Sequence, residues 1–146
     1  MAAEYSATMI QTVAEVENIL FLDGDRACRK GFVTHRQGSG VFRLKGVNNC
    51  CKTIYRITFN ANIAVAPADE GGVLGAISVA LQEDGETLQN AVGTVVPAAI
   101  GDFFNVSLST FVYVECGCCK TISVENASDG TAIDVINANI IIDRVA

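Results

Sequence analysis

From Thr53 to Val65 the chain reads TIYRITFNANIAV, thirteen residues of near-strict alternation. In an extended chain successive side chains point to opposite faces. Ile54, Arg56, Thr58, Asn60 and Asn62 therefore share one face, and Tyr55, Ile57, Phe59, Ala61 and Ile63 the other. The second set is the core face. No helical period accommodates this pattern, so the segment is a long half-buried strand. FFNVSLSTFVYVE, Phe103 to Glu115, alternates in the same way. Phe104, Val106, Leu108, Thr110, Val112 and Val114 oppose Phe103, Asn105, Ser107, Ser109, Phe111 and Tyr113. Both of its faces turn apolar towards the end, which is the mark of a strand covered on both sides.

Period two extends to most of the chain. Shorter strands are expected at Ile19 to Leu22, Phe32 to Arg36, Val41 to Lys45, Gly75 to Gln82, Ala91 to Val96 and Thr121 to Asn126, with a last strand in TAIDVINANIIIDRV. Turn residues separate them: QGSG at 37 to 40, ADEGG at 68 to 72, EDGE at 83 to 86 and SDG at 128 to 130. The two prolines, Pro67 and Pro97, fall at strand ends. About nine or ten strands joined by short turns define an all-β chain, an antiparallel β-sandwich of jelly-roll type. Residues 1 to about 18 are expected to form an N-terminal arm, extended rather than helical, for docking or strand exchange. Residues 19 to 146 are then the jelly-roll domain. At 146 residues one domain is expected, and such a domain buries roughly 70% of its unfolded surface without needing disulfides or metal.

Ile140, Ile141 and Ile142 are consecutive, so apolar side chains leave the last strand on both faces. A strand of this kind is buried twice. One face meets the core, and the other is assigned to a neighbouring subunit. FNANIAV at 59 to 65 and INANIII at 136 to 142 echo each other, as do the two copies of CCKTI at 50 to 54 and 118 to 122. These echoes suggest similar roles in two sheets.

Hydrophobic residues make up 50% of the chain and charged residues 18%, with mean hydropathy +0.35. That surplus belongs in a core or an interface. No apolar run is long enough for a membrane-spanning helix. A net charge of −6 repels nucleic-acid phosphate, so nucleic-acid binding is not expected. The first residues show neither a basic n-region nor an apolar h-region, so no signal peptide is expected.

No catalytic, cofactor or metal site emerges. The thiols cluster as Cys50 and Cys51, and as Cys116, Cys118 and Cys119, with Cys28 apart. Zinc prefers two pairs with two to four intervening residues, a pattern that CC and CGCC do not supply. Cys116 and Cys119 have redox-motif spacing, but a strand follows rather than a helix. The bland reading is two strand starts at one end of the sandwich, with thiols that are either buried small hydrophobes or disulfide partners. Pairing within or between subunits stays open, since six cysteines allow fifteen connectivities. His35 is the sole histidine, and Ser39 in QGSG is no nucleophile elbow. Asp23 and Asp25 in LDGDR begin like a calcium loop but lack the remaining ligands. The protein is therefore not expected to be an enzyme.

HRQGSGVFRLKG, YRITFNANIAV, GAISVALQEDGETL, VPAAIGDFFNVSLSTFVYVECGCCKTISVENAS and INANIIIDRVA together resemble the tumour-necrosis-factor-like (TNF-like) and complement-globular-head-like jelly rolls. In bacteria and phages these occur at the tips of collagen-like spore-surface glycoproteins and in phage fibre or capsid-decorating proteins. The resemblance spans roughly residues 19 to 146. It implies a homotrimer with the C-terminal strand near the threefold axis, and an interface made by Ile140, Ile141, Ile142, Phe111 and Tyr113. The chain has no Gly-X-Y repeat. The expected function is a structural component of a phage virion (capsid decoration, head fibre or tail fibre) or a similar extracellular surface assembly. Its partners would be its own copies and neighbouring subunits held through the arm. The alternative is a surface carbohydrate- or receptor-binding module of a spore or cell envelope, with glycans as partners.

Overall fold

The computed structural model describes residues 2–26, 31–47 and 52–146. Among these the strands are β1 (Ala2–Ala7), β2 (Gln11–Val13), β3 (Asp23–Arg26), β4 (Val33–His35), β5 (Val41–Lys45), β6 (Lys52–Val65), β7 (Ile77–Glu83), β8 (Glu86–Val95), β9 (Phe104–Glu115), β10 (Cys119–Asn126) and β11 (Ile133–Arg144). A short 3-10 turn spans Ala68–Glu70. One sheet runs in the order β3-β1-β11-β6-β9, with β2 also paired to β11, and the other runs β4-β5-β10-β7-β8. All pairings are antiparallel.

The alternation in β6 places Tyr55, Ile57, Phe59, Ala61 and Ile63 in the core. Val106, Leu108, Val112 and Val114 of β9 join them, and Phe42 and Leu44 of β5, Val79 and Leu81 of β7, and Ile122 and Val124 of β10 meet them from the other sheet. Two apolar sheet faces thus interdigitate to make one core. At one end of the sandwich the Tyr55 hydroxyl donates to the carbonyl of Lys45 at 2.6 Å. Buried Thr53 accepts from the Val47 amide at 2.8 Å. The EDGE tip joins β7 to β8 with Asp84 at φ 52 and Gly85 at φ 82. Positive φ at both central residues is the two-residue hairpin turn whose twist matches its strands.

Three expectations change. The segment 19 to 22 has strand-like alternation, with Ile19 and Phe21 buried and Leu20 and Leu22 exposed, yet it joins no ladder. Its backbone bonds go elsewhere: the Gln11 side-chain amide both donates to Leu20 O and accepts from Leu20 N, each at 2.9 Å. Residues 2–7 and 11–13 are extended, as expected, but they belong to the sandwich. Ala2 to Ala7 pair with Asp143 to Ala138, and Gln11 to Val13 pair with Val135 to Ile133. Ala3, Tyr5, Ala7 and Val13 are core residues, so the boundary placed near residue 18 does not separate an arm from a domain. Finally, the two Asn-Ala-Asn segments occupy one sheet, not two. Ile136 faces Asn62, Asn139 faces Asn60 and Ile140 faces Phe59, with a bulge between Ile136 and Asn139 where Asn137 takes φ 57.

Candidate functional site

The outward face of the six-stranded sheet carries the features that the core does not explain. Its rows follow from the register. One row holds Asp143, Arg56 and Phe111, the next Glu4, Ile141, Thr58 and Ser109, and the next Ser6, Asn139, Asn60 and Ser107. Ile54 and Tyr113 lie opposite each other nearer the C-terminus of β11. Phe111 and Tyr113, on the edge strand β9, are 53% and 49% exposed. The charged groups come largely as pairs. Arg56 donates to Asp143 at 2.9 Å, and Lys52 lies 3.8 Å from Glu115.

This face corrects part of the expected interface. Ile140 and Ile142 are 0% and 1% exposed and fill the chain's own core. Period two allows only Ile141 of the three to point outward, where it sits between Glu4 and Thr58. Phe111 and Tyr113 are on the outward face as the alternation required, and β9, at the end of its sheet, leaves them uncovered in the single chain.

Beside the aromatic end lies an amide cluster that sequence reasoning did not single out. Asn105 Nδ2 shares its two hydrogens among Asn60 Oδ1 at 2.7 Å, Asn62 Oδ1 at 3.1 Å and Ala61 O at 3.3 Å. Ser107 Oγ donates to Asn60 Oδ1 at 3.3 Å, and Asn62 Nδ2 donates to Asn137 Oδ1 at 3.3 Å. Asn139 Oδ1 is shielded from water and accepts no hydrogen bond among the described residues. The signal was available in the NANI echo, but only the β6–β11 pairing brings the two copies together.

The other candidates are placed as follows. His35 stacks on Phe42 with centroids 4.4 Å apart, and its Nε2 donates to Ser39 O at 2.7 Å. The carbonyl acceptor requires the proton on that nitrogen. The Ser39 hydroxyl accepts from Val41 N at 3.0 Å, so the two side chains form no nucleophile–base pair. Cys116 and Cys118 are exposed on the turn between β9 and β10, and Cys119 is exposed at the first position of β10. Arg43 Nη2 donates to Cys119 Sγ at 3.4 Å. A Cβ at Gly46 would collide with the Glu115 carbonyl, so the chain must pass this turn as glycine. Cys50, Cys51 and Cys28 lie outside the described residues, and with them the first half of the thiol cluster. Lys52 pairs with Glu115 and Cys119 with Lys45, so β6 and β10 do begin at one end of the sandwich. Asp23 and Asp25 run within β3 rather than in a calcium loop.

Among the described residues, no three His, Cys, Asp or Glu side chains are grouped to hold a metal ion. No helix among them is long and apolar enough to cross a membrane. Two open clefts, of about 430 and 400 Å³, flank the 14 to 17 turn. The second is floored by Glu125, whose carboxylate accepts from Thr87 Oγ1, with Gln89, Ser128 and Asp129 around it.

By sequence, no family model matches the chain, and no curated protein does either. Solved structures do match. The globular domain of a zebrafish complement 1qA protein superposes with a TM-score of 0.64 at 10% identity, over 99% of this chain and 97% of that one. Eiger TNF from S. frugiperda gives 0.67 at 10% identity, over 100% and 92%. Pika GITRL gives 0.51 at 14% identity, over 99% and 94%. At these identities the likeness is one of fold, and the protein has the antiparallel jelly-roll β-sandwich of TNF-like and complement 1q-like domains.

Proposed function

We propose that the protein is a non-enzymatic module that assembles as a homotrimer through the outward face of its six-stranded sheet. It serves as a structural component of a virion or a similar extracellular surface assembly. One observation carries the reading. A chain of net charge −6 presents a face whose charges are mostly paired and which exposes Phe111 and Tyr113, with the half-buried Ile141 also pointing outward. Aromatic side chains on a face whose charges are mostly paired suit burial against another copy. The jelly-roll fold and the sequence resemblance to trimeric domains support the stoichiometry.

Native mass spectrometry tests the assembly. The unreduced protein is expected as a trimer that survives reduction and chelation. Phe111→Ala combined with Tyr113→Ala is expected to weaken it by about 2 kcal/mol or more, the usual cost of truncating a central aromatic anchor. A monomeric wild type at micromolar concentration overturns the proposal. A trimer lost on reduction alone would transfer the role from this face to the thiols.

A further inference from the structure

Resting on that self-associating face, we propose that the row of Asn139, Asn60 and Ser107, with Asn105 one row further on opposite Asn62, lies against the rotation axis of the homo-oligomer and sets its register. The occupant is the same row of the other copies. At a rotation axis each side chain meets its own copies. Two carboxylates or two ammonium groups repel there, and two apolar groups carry no directional preference. An amide holds two donors and two acceptor lone pairs, so identical amides can close a ring of hydrogen bonds.

The row has that capacity left over. Asn60 Oδ1 is taken by Asn105 and Ser107, but Asn60 Nδ2 donates to nothing among the described residues. Asn139 Oδ1 has no donor, although Asn139 stands directly across from Asn60. A turn of its amide towards a neighbouring copy would give it one. Charge and area also fit a second copy. Chains of like net charge meet most easily through a face whose charges are internally paired, as Arg56–Asp143 and Lys52–Glu115 are. Five adjacent strands at about 4.8 Å, over roughly eight residues at about 3.3 Å each, present on the order of 600 Å² before side-chain relief. A stable contact uses roughly 800 Å² per partner. Affinity then comes from Phe111, Tyr113 and Ile141, and register from the amides, as a single buried Asn sets register in paired helices at a cost in stability.

Asn60→Asp tests the axis. In one chain the new carboxylate keeps both hydrogen bonds that Asn60 accepts, so the fold tolerates it. At the axis, identical carboxylates face each other. Native mass spectrometry is expected to show Asn60→Asp as monomer at pH 7, with the trimer restored near about pH 3, where a carboxylate with an ordinary pKa is protonated. Ser107→Asp, at an exposed position of the same row that gives up only one 3.3 Å bond, is expected to behave alike and serves if the first variant folds poorly by circular dichroism. The wild type and Gln89→Glu, a charge added at an exposed position of the other sheet, should stay trimeric at both pH values. If both Asp variants remain trimeric at pH 7, the amide row is not at the axis. In that case, loss of the trimer in the Phe111/Tyr113 double variant would still leave the face itself standing. A monomeric wild type removes both.

Discussion

Asn137 shows how a single residue shapes this sheet. It takes φ 57 at the bulge of β11, a conformation that glycine adopts freely, asparagine tolerates and a β-branched residue resists. The bulge also coincides with the break between β1 and β2, whose partners on β11 end at Ala138 and resume at Val135. Asn137→Val is expected to lower stability by about 1–2 kcal/mol, the cost of a left-handed conformation for a residue bearing a Cβ. Asn137→Gly should stay within roughly 0.5 kcal/mol of wild type, since it removes the strain and loses only the long bond from Asn62. Urea unfolding midpoints with an unchanged slope would check both.

At the scale of elements, the N-terminal segment matters more than its position suggests. β1 lies between β3 and β11, and its side chains Ala3, Tyr5 and Ala7 are in the core. Tyr5 also packs against Phe42, with ring centroids 4.9 Å apart, and so touches the other sheet. Removing residues 1–13 would strip β11 of its partners along one side. It would also uncover Tyr5's contacts and the site of Val13. A loss of at least about 3 kcal/mol is expected from those two side chains alone, at about 1.5–3 kcal/mol for each large apolar group. A thermal melt would show a large fall in midpoint or no cooperative transition. A detachable docking arm predicts an unchanged melt, so the experiment separates the two roles directly.

At the scale of the whole molecule, folding and assembly are linked by mass action. If the oligomer is the stable species, subunit dissociation accompanies unfolding, and the melting temperature rises with protein concentration. The rise should change little with salt, because the proposed contact relies on apolar and amide groups and its ion pairs lie within one chain. Calorimetry over a hundredfold range of concentration, at low and high salt, reads both effects. A melting temperature independent of concentration would point to a folded monomer as the stable unit.

The sequence by itself determined the strand class and which side chains of β6 and β9 face the core, because the period of two is local and follows directly from extended geometry. It also marked the Asp84–Gly85 hairpin, whose backbone demands are written in its residue types. Tertiary structure decided the rest. KTI follows Cys51 and Cys119 alike, yet Thr53 is the buried residue in one copy and Ile122 in the other. The pairing of β1 with β11 joins the two ends of the chain, and that of the two Asn-Ala-Asn segments joins strands some 75 residues apart. Neither has a local signature, since a strand's residues specify its two faces but not the neighbour that completes its backbone hydrogen bonds. The aromatic end and the amide row of the outward face exist only once that neighbour has been chosen.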